Sequence, residues 1–177
     1  MTSLTFLGTS GGTGTTTLAA LSVLLLVEQG SRIPTVVAED AQSFDLRLGT
    51  LSSPVRGSGH ELVDGGRYQA GKAAAAIEQG RLVLVGASTP QGVAALESSL
   101  SDVAQRFGAP GLERTLPVLC SAFGRSPAVA GRVSIPFDAR LAVGAPLTKT
   151  FPSLRTRTKT ALNMQWLPVV RETYGIR

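Results

Sequence analysis

Apolar and polar positions along the chain fall into alternating short and long blocks. Residues 3–7, with "LTFL" at their centre, read as a short strand that runs into a glycine-rich turn. The next block, "TTLAALSVLLLVE" (16–28), is apolar nearly all round, too long for a typical strand, and closed by Gly30, a natural helix stop. A helix that is apolar on every side must be covered on every side, so this one belongs deep in a layered domain. "TVVAED" (35–40) predicts a second strand, "ELVD" (61–64) a short third and "RLVLVGAS" (81–88) a fourth. Between them, "QAGKAAAAIEQG" (69–80) reads as a helix. Thr89 and Pro90 suit an N-cap and a first helical position, and Val93, Leu96, Leu100, Val103 and Phe107 then recur at helical spacing until Gly108 ends the run. "TLPVLCSAF" (115–123) and "RVSIPF" (132–137) are further strands, and 153–174 reads as helix broken or kinked at Pro168.

Strands alternating with helices predict an α/β fold: a single doubly wound, mostly parallel sheet with helices on both faces. "SSPVRGSG" (52–59) reads as a loop inside one domain covering 1–177, and no internal repeat is evident.

Charged residues make up 16% of the chain, against roughly 25% in ordinary globular proteins, so much of the chain is expected to be buried. A single cysteine, Cys120, excludes an internal disulfide framework and a multi-cysteine metal site; set in "LPVLC", it reads as a structural thiol. His60 is the only histidine and lies in a Gly/Ser-rich stretch, which argues against a histidine-based triad. No segment reaches the roughly 20 apolar residues that span a bilayer, and no basic region precedes an apolar one at the N-terminus. The expected location is cytoplasmic. Charge is uneven: residues 1–100 carry six Lys/Arg against eight Asp/Glu, and residues 101–177 carry eleven against four. In the basic part, Arg155, Arg157 and Lys159 stand on alternate residues of "SLRTRTKT", a candidate for sequence-independent DNA contact or simply a solvated basic face.

The glycine-rich turn carries the candidate chemistry. In "GTSGGTGTTT" (8–17), glycines let successive N–H groups point inward, and the following helix adds its own unpaired N–H groups and positive dipole end. The three threonines supply hydroxyls, one suited to Mg²⁺. A Walker-type loop needs G-x-x-x-x-G-K-[ST]; here Gly14 is the last glycine, Thr15 stands where the lysine should be, Thr16 offers the magnesium hydroxyl, and Gly8 is one residue early. A dinucleotide fingerprint is the rival: Gly12 and Gly14 fit it, but its third glycine is Thr17. The loop alone leaves a Walker site, a dinucleotide site and a bare turn open.

"SGGTGTTT" resembles the deviant Walker A loop of the ParA/MinD family, K-G-G-x-G-K-[ST]-T. "VVAEDAQSFDLRLG" is similar to that family's second strand and switch segment, "ELVDGG" to its Walker B strand, "RLVLVGASTPQGVAALESSL" to its next strand and helix, and "SIPFDARLAVGAPL" to the segment beside the nucleotide base. The motifs follow in the family's order over nearly the whole chain. The resemblance implies that Gly11, Gly12, Thr13, Gly14 and Thr15 form the phosphate cradle, that Thr16 touches Mg²⁺ with Asp64 behind it, and that Thr17 meets an α-phosphate. It implies further that Asp40 orients the attacking water and that Pro136 lies near adenine. ATP and Mg²⁺ are the implied cofactors, with a homodimer and a protein partner from a positioning, partition or secretion/pilus system as the implied assemblies.

Two departures stand out. Both lysines of the family's loop are absent, replaced by Ser10 and Thr15, and no Lys or Arg stands between Met1 and Arg32. Loss of a charged partner to a buried phosphate costs about 2–5 kcal/mol, so binding should weaken and efficient hydrolysis should fail. In addition, only 23 residues separate Asp40 from Asp64, fewer than the family usually has, which marks 41–63 as reduced. The expectation is a degenerate relative acting as a binding or scaffold component. The alternative is an active ATPase that borrows its cation from a partner or from elsewhere, for example Arg125 or Arg132. "ALNMQWLPVVRETYGIR" has few basic residues and contains Pro168, so Leu162, Trp166 and Val170 are expected to pack on the domain rather than on a membrane.

Overall fold

The computed structural model describes residues 2–51, 56–121 and 133–176. Strands β1 (Ser3–Gly8), β2 (Ile33–Ala38), β3 (Arg56–Arg67), β4 (Gly80–Ala87), β5 (Thr115–Cys120) and β6 (Val133–Ile135) form one sheet. Its order is β2-β3-β1-β4-β5-β6, and every pairing is parallel. Between and after them lie α1 (Thr15–Glu28), α2 (Ala41–Leu48), α3 (Ala70–Gln79), α4 (Pro90–Glu113), α5 (Ala139–Ala142), α6 (Leu147–Thr150), α7 (Thr156–Ala161) and α8 (Leu167–Thr173).

Successive strand residues face opposite sides of a sheet, and the two cores sort accordingly. Leu4, Phe6, Val83, Val85 and Val118 pack on the side of α1, α2 and α8. Leu7, Leu82, Leu84 and Leu119 pack on the side of α3 and α4, against Ala73, Ala76, Leu96 and Val103. β2 is an edge strand, and Pro34, which has no N–H to give, falls where its pairing with β3 loses register.

The predicted all-round burial of the first long helix is found: Leu18 to Leu26 of α1 are buried without interruption. One residue in that run is polar. The Ser22 hydroxyl donates to Leu18 O (2.8 Å) and accepts from Trp166 Nε1 (2.8 Å), and the Trp166 ring meets Phe6 edge-on with centroids 5.9 Å apart. Trp166, Leu162 and Val170 are fully buried against α1 and the sheet, as expected of them.

Several element boundaries differ from the sequence reading. β3 is 12 residues long rather than four, because its first half is Gly/Ser-rich and has no alternation for a sequence to show. α2 was not expected; it is capped by Asp40, which accepts from Ser43 N, and it buries Phe44 and Leu48 one turn apart. Gly108 does interrupt α4 (φ 62°, ψ −158°), but one more helical turn follows it. Pro168 does not break the last helix. Residues Leu162–Trp166 form one wide π turn, and Pro168 then falls in the first turn of α8, where its missing N–H costs little.

Ser22→Ala should destabilise the fold by about 1–3 kcal/mol, because it strands the Trp166 N–H in an apolar core. Chemical denaturation followed by circular dichroism measures this; a change below about 0.5 kcal/mol would show that the hydrogen bond carries no net stability.

Candidate functional site

The loop between β1 and α1 lies at the carboxyl end of the sheet, between the ends of β3 and β4. Tyr68 N donates to Gly8 O (2.9 Å) and Thr9 N to Val85 O (2.9 Å). Gly12 and Gly14 take positive φ (73° and 86°), which curls the backbone as an anion cradle requires. Thr13 and Thr15 are buried, and their hydroxyls share a hydrogen bond of 2.9 Å. Both close over Gly8, where a Cβ would lie 2.6 Å from Thr13 Oγ1 and nearer still to Thr15 Oγ1. The side chain in the lysine's position is thus folded onto its own loop.

Asp64, near the end of β3, is only 4% exposed, and its Oδ1 has no hydrogen-bond partner among the described residues. Burial pushes its pKa up, and the Thr16 hydroxyl and Gly66 N–H only partly offset that. A buried carboxylate oxygen without a donor, set beside a helix-start hydroxyl, suits a hard divalent cation. Among the described residues no group of three His, Cys, Asp or Glu gathers to form a protein-only metal site. Any such ion would therefore take Thr16, ligand oxygens and water, with Asp64 behind.

Loop and strand ends open on a cavity of about 660 Å³, within the range of small-molecule sites. Residues 10 to 17 form one wall, and Pro136, Phe137 and Asp138 form part of the opposite one. Cys120 also lines it, close to Gly14, and burial pushes its thiol up to about 12, which leaves it protonated and inert at neutral pH. Asp138, 2% exposed, fixes the wall: it accepts from Arg140 N (3.1 Å) and Arg155 N (2.8 Å). Burial raises its pKa, but these two N–H groups and the Arg140 charge outweigh burial and hold it below the ordinary value.

Two arginines lie near the loop that were not expected from the sequence, in which Arg125 and Arg132 were the candidate replacement cations. Arg47, on α2, is 7% exposed; Nε donates to Thr17 Oγ1 (3.0 Å), and the other two guanidinium nitrogens donate to Ala145 O and Leu141 O. It is a buried cation held by neutral acceptors, directly behind a loop residue, and burial pulls its pKa down. The second, Arg67, closes β3, is exposed and lines the cavity itself. Phe44 and Leu48 were the available signal for the helix that carries Arg47.

No family model matches the chain, and no curated protein matches it in sequence. Solved structures do. A ParA family ATPase from Chlorobium tepidum TLS aligns over 92% of this chain and 96% of its own, with a TM-score of 0.65 and 17% identity. A chain of the MinC:MinD cell division protein complex of Aquifex aeolicus aligns over 99% of this chain and 96% of its own, with a TM-score of 0.67 and 12% identity. McdA(D38A) of Cyanothece, in complex with ATP, aligns over 100% and 97%, with a TM-score of 0.61 and 15% identity. The chain has the ParA/MinD-like P-loop fold.

Within this ParA/MinD-like fold, the predicted residues 11–17 and Pro136 do come together around one cavity, with Asp64 beneath Thr16. Asp40 is not among the residues lining it. Its carboxylate is exposed and caps α2, accepting from Ser43 N (2.9 Å) and Ser43 Oγ (2.6 Å), which hold its pKa below the ordinary value. Its neighbour Glu39 pairs with Lys72 (2.9 Å), whose Nζ also donates to Gly65 O (2.7 Å). His60 lies at the opposite end of the sheet: Glu61 pairs with Ser3, five residues before Gly8 and roughly 17 Å away along the strand. Arg125 and Arg132 lie outside the described residues. Arg155, Arg157 and Lys159 start a helix rather than an extended segment, so they do not share one face. Arg157 and Lys159 each donate to a backbone carbonyl, of Phe137 and Pro152 respectively. Among the described residues no helix is long and apolar enough to cross a membrane.

Because the folded-state pKa of Asp138 is depressed, its contribution to stability is complete above the unfolded value near 4 and is lost as pH falls through the folded one. Asp138→Asn should lower the melting temperature at pH 7 and flatten the acid limb of a stability–pH curve. Parallel acid limbs in the two proteins would remove Asp138 as the group responsible.

Proposed function

We propose that this chain is a degenerate ParA/MinD-like protein: it binds Mg²⁺–ATP through its loop backbone, hydrolyses it weakly or not at all, and serves as a binding or scaffold component in partition, positioning or secretion/pilus assembly. The observation that carries the proposal is the pairing of a retained cradle with a loop that has no lysine or arginine of its own. Gly12, Gly14, Thr16 and the partnerless Asp64 Oδ1 favour a phosphate–magnesium ligand, while Thr15 turns its hydroxyl to Thr13 and brings no cation. Asp40 fits the same picture, since it would have to release Ser43 before it could orient a water. The MinC:MinD complex makes a protein partner a natural expectation for a chain of this fold, and a nucleotide-linked homodimer belongs to the same proposal.

A second reading, an active ATPase with a borrowed cation, is favoured by Arg67 in the cavity wall. Sequence-independent DNA contact through exposed Arg155 and Arg157 is compatible with either, and such binding should fall steeply with salt.

Calorimetric titration with ATP and ADP, with and without Mg²⁺, and a phosphate-release assay test the proposal together. Expected are Mg²⁺-dependent ATP binding and phosphate release indistinguishable from buffer. Thr15→Lys should tighten ATP binding by about thirtyfold or more if its ammonium reaches the phosphates. Steady phosphate release by the unmodified protein alone would favour the second reading. Absence of any nucleotide binding would overturn both.

A further inference from the structure

We infer that Arg67 is the phosphate-contacting cation of this cavity, taking over the charge that Ser10 and Thr15 do not carry, and that it engages the terminal phosphates of a nucleoside triphosphate. This assignment rests on the nucleotide-binding reading above.

The backbone of β3 supplies the first reason. Phe6 pairs with Asp64, but Gly8, two residues on, pairs with Arg67, three residues on. The extra residue is a β-bulge, and Gly66 within it takes φ 68°, a left-handed conformation that a side chain would strain. In an unbulged strand Gly66 would stand opposite Gly8. The bulge advances Arg67 to that register, at the base of the phosphate loop, and the Tyr68 N–H then closes onto Gly8 O. Bulges beside binding sites commonly re-aim one side chain, and here the residue advanced is an arginine of the cavity lining.

Among the described residues, the other two cations beside the loop are committed to protein oxygens. Lys72 is held by Glu39 and Gly65 O, and Arg47 lies behind Thr17 with all three nitrogens donating to protein oxygens. Among the described residues Arg67 forms no ion pair, and it is exposed, so its charge is available to a ligand. A guanidinium also presents paired donors that match phosphate oxygens. The choice of terminal phosphates follows from the strand. Arg67 shares β3 with Asp64, which takes the Thr16 hydroxyl and keeps Oδ1 without a partner, so a magnesium ion that accompanies the outer phosphates would be held by these two residues, on the strand that carries Arg67.

Calorimetry on the full chain with Mg²⁺–ATP and Mg²⁺–ADP, comparing the unmodified protein with Arg67→Ala and Arg67→Glu, tests this. Because Arg67 is exposed, both variants should melt with the unmodified protein. ATP affinity should fall by about tenfold or more in Arg67→Ala and further in Arg67→Glu, with a smaller loss for ADP. ATP binding within about twofold of the unmodified protein in both variants would overturn the role of Arg67 and leave the nucleotide-binding reading standing. Equal losses for ATP and ADP would overturn the terminal-phosphate assignment. If the unmodified protein binds neither nucleotide, the reading itself falls and the role of Arg67 falls with it.

Discussion

A helix apolar on every side has no solvent face, and the rest of this molecule is arranged to give α1 none. The sheet covers it from below through Leu4, Phe6, Val83 and Val85, α2 covers it through Phe44 and Leu48, and the last helical segment closes over it with Leu162, Trp166 and Val170. The two ends of α1 escape full cover: Glu28 is exposed at one, and Thr16 and Thr17 are half-buried at the other, where the chain has just left β1 through a glycine-rich turn. Its unpaired N–H groups therefore face the cavity at the carboxyl end of the strands. Burial of the helix body and exposure of its first turn are two results of one constraint, and the second provides the anion site.

The same constraint accounts for Arg47. Covering α1 on the α2 side brings a long polar side chain under Thr17, where the alternatives to hydrogen bonding would be expensive. It finds Thr17, Leu141 and Ala145, and so ties the loop helix, α2 and the far cavity wall to one guanidinium. Asp138 does the corresponding work on that wall, joining the starts of α5 and α7 through two backbone N–H groups. The cavity is thus braced by two buried ionic groups that hold backbone around the space a ligand would fill.

Much of this was legible in the sequence because it depends on local pattern. Short apolar runs mark the inner strands, the uninterrupted run at 16–28 marks α1, and the glycines at 11, 12 and 14 mark the cradle. What was not legible depends on long-range placement. α2 hides behind a segment with only two apolar anchors, Phe44 and Leu48. The bulge at Gly65–Gly66 is a property of pairing between β1 and β3 and has no signature in either strand alone. For that reason the arginines at 47 and 67, which the fold delivers to the loop from far along the chain, did not stand out beside Arg125 and Arg132 as replacement cations. The π turn before Pro168 is of the same kind: proline chemistry predicts a disruption, and the packing of Trp166 onto α1 accompanies a wider turn instead of a break.

Trp166 is the only tryptophan in the chain, and its indole is sealed between Phe6 and α1 with its N–H spent on Ser22. The protein therefore carries a built-in optical gauge for one particular event. Its emission should be that of a dry indole, unmoved by a ligand that merely settles into the glycine cradle. Any spectral change on ligand addition would instead signal that α1 has shifted as a body against the sheet. The position of one ring thus separates occupancy of the loop from motion of the helix behind it.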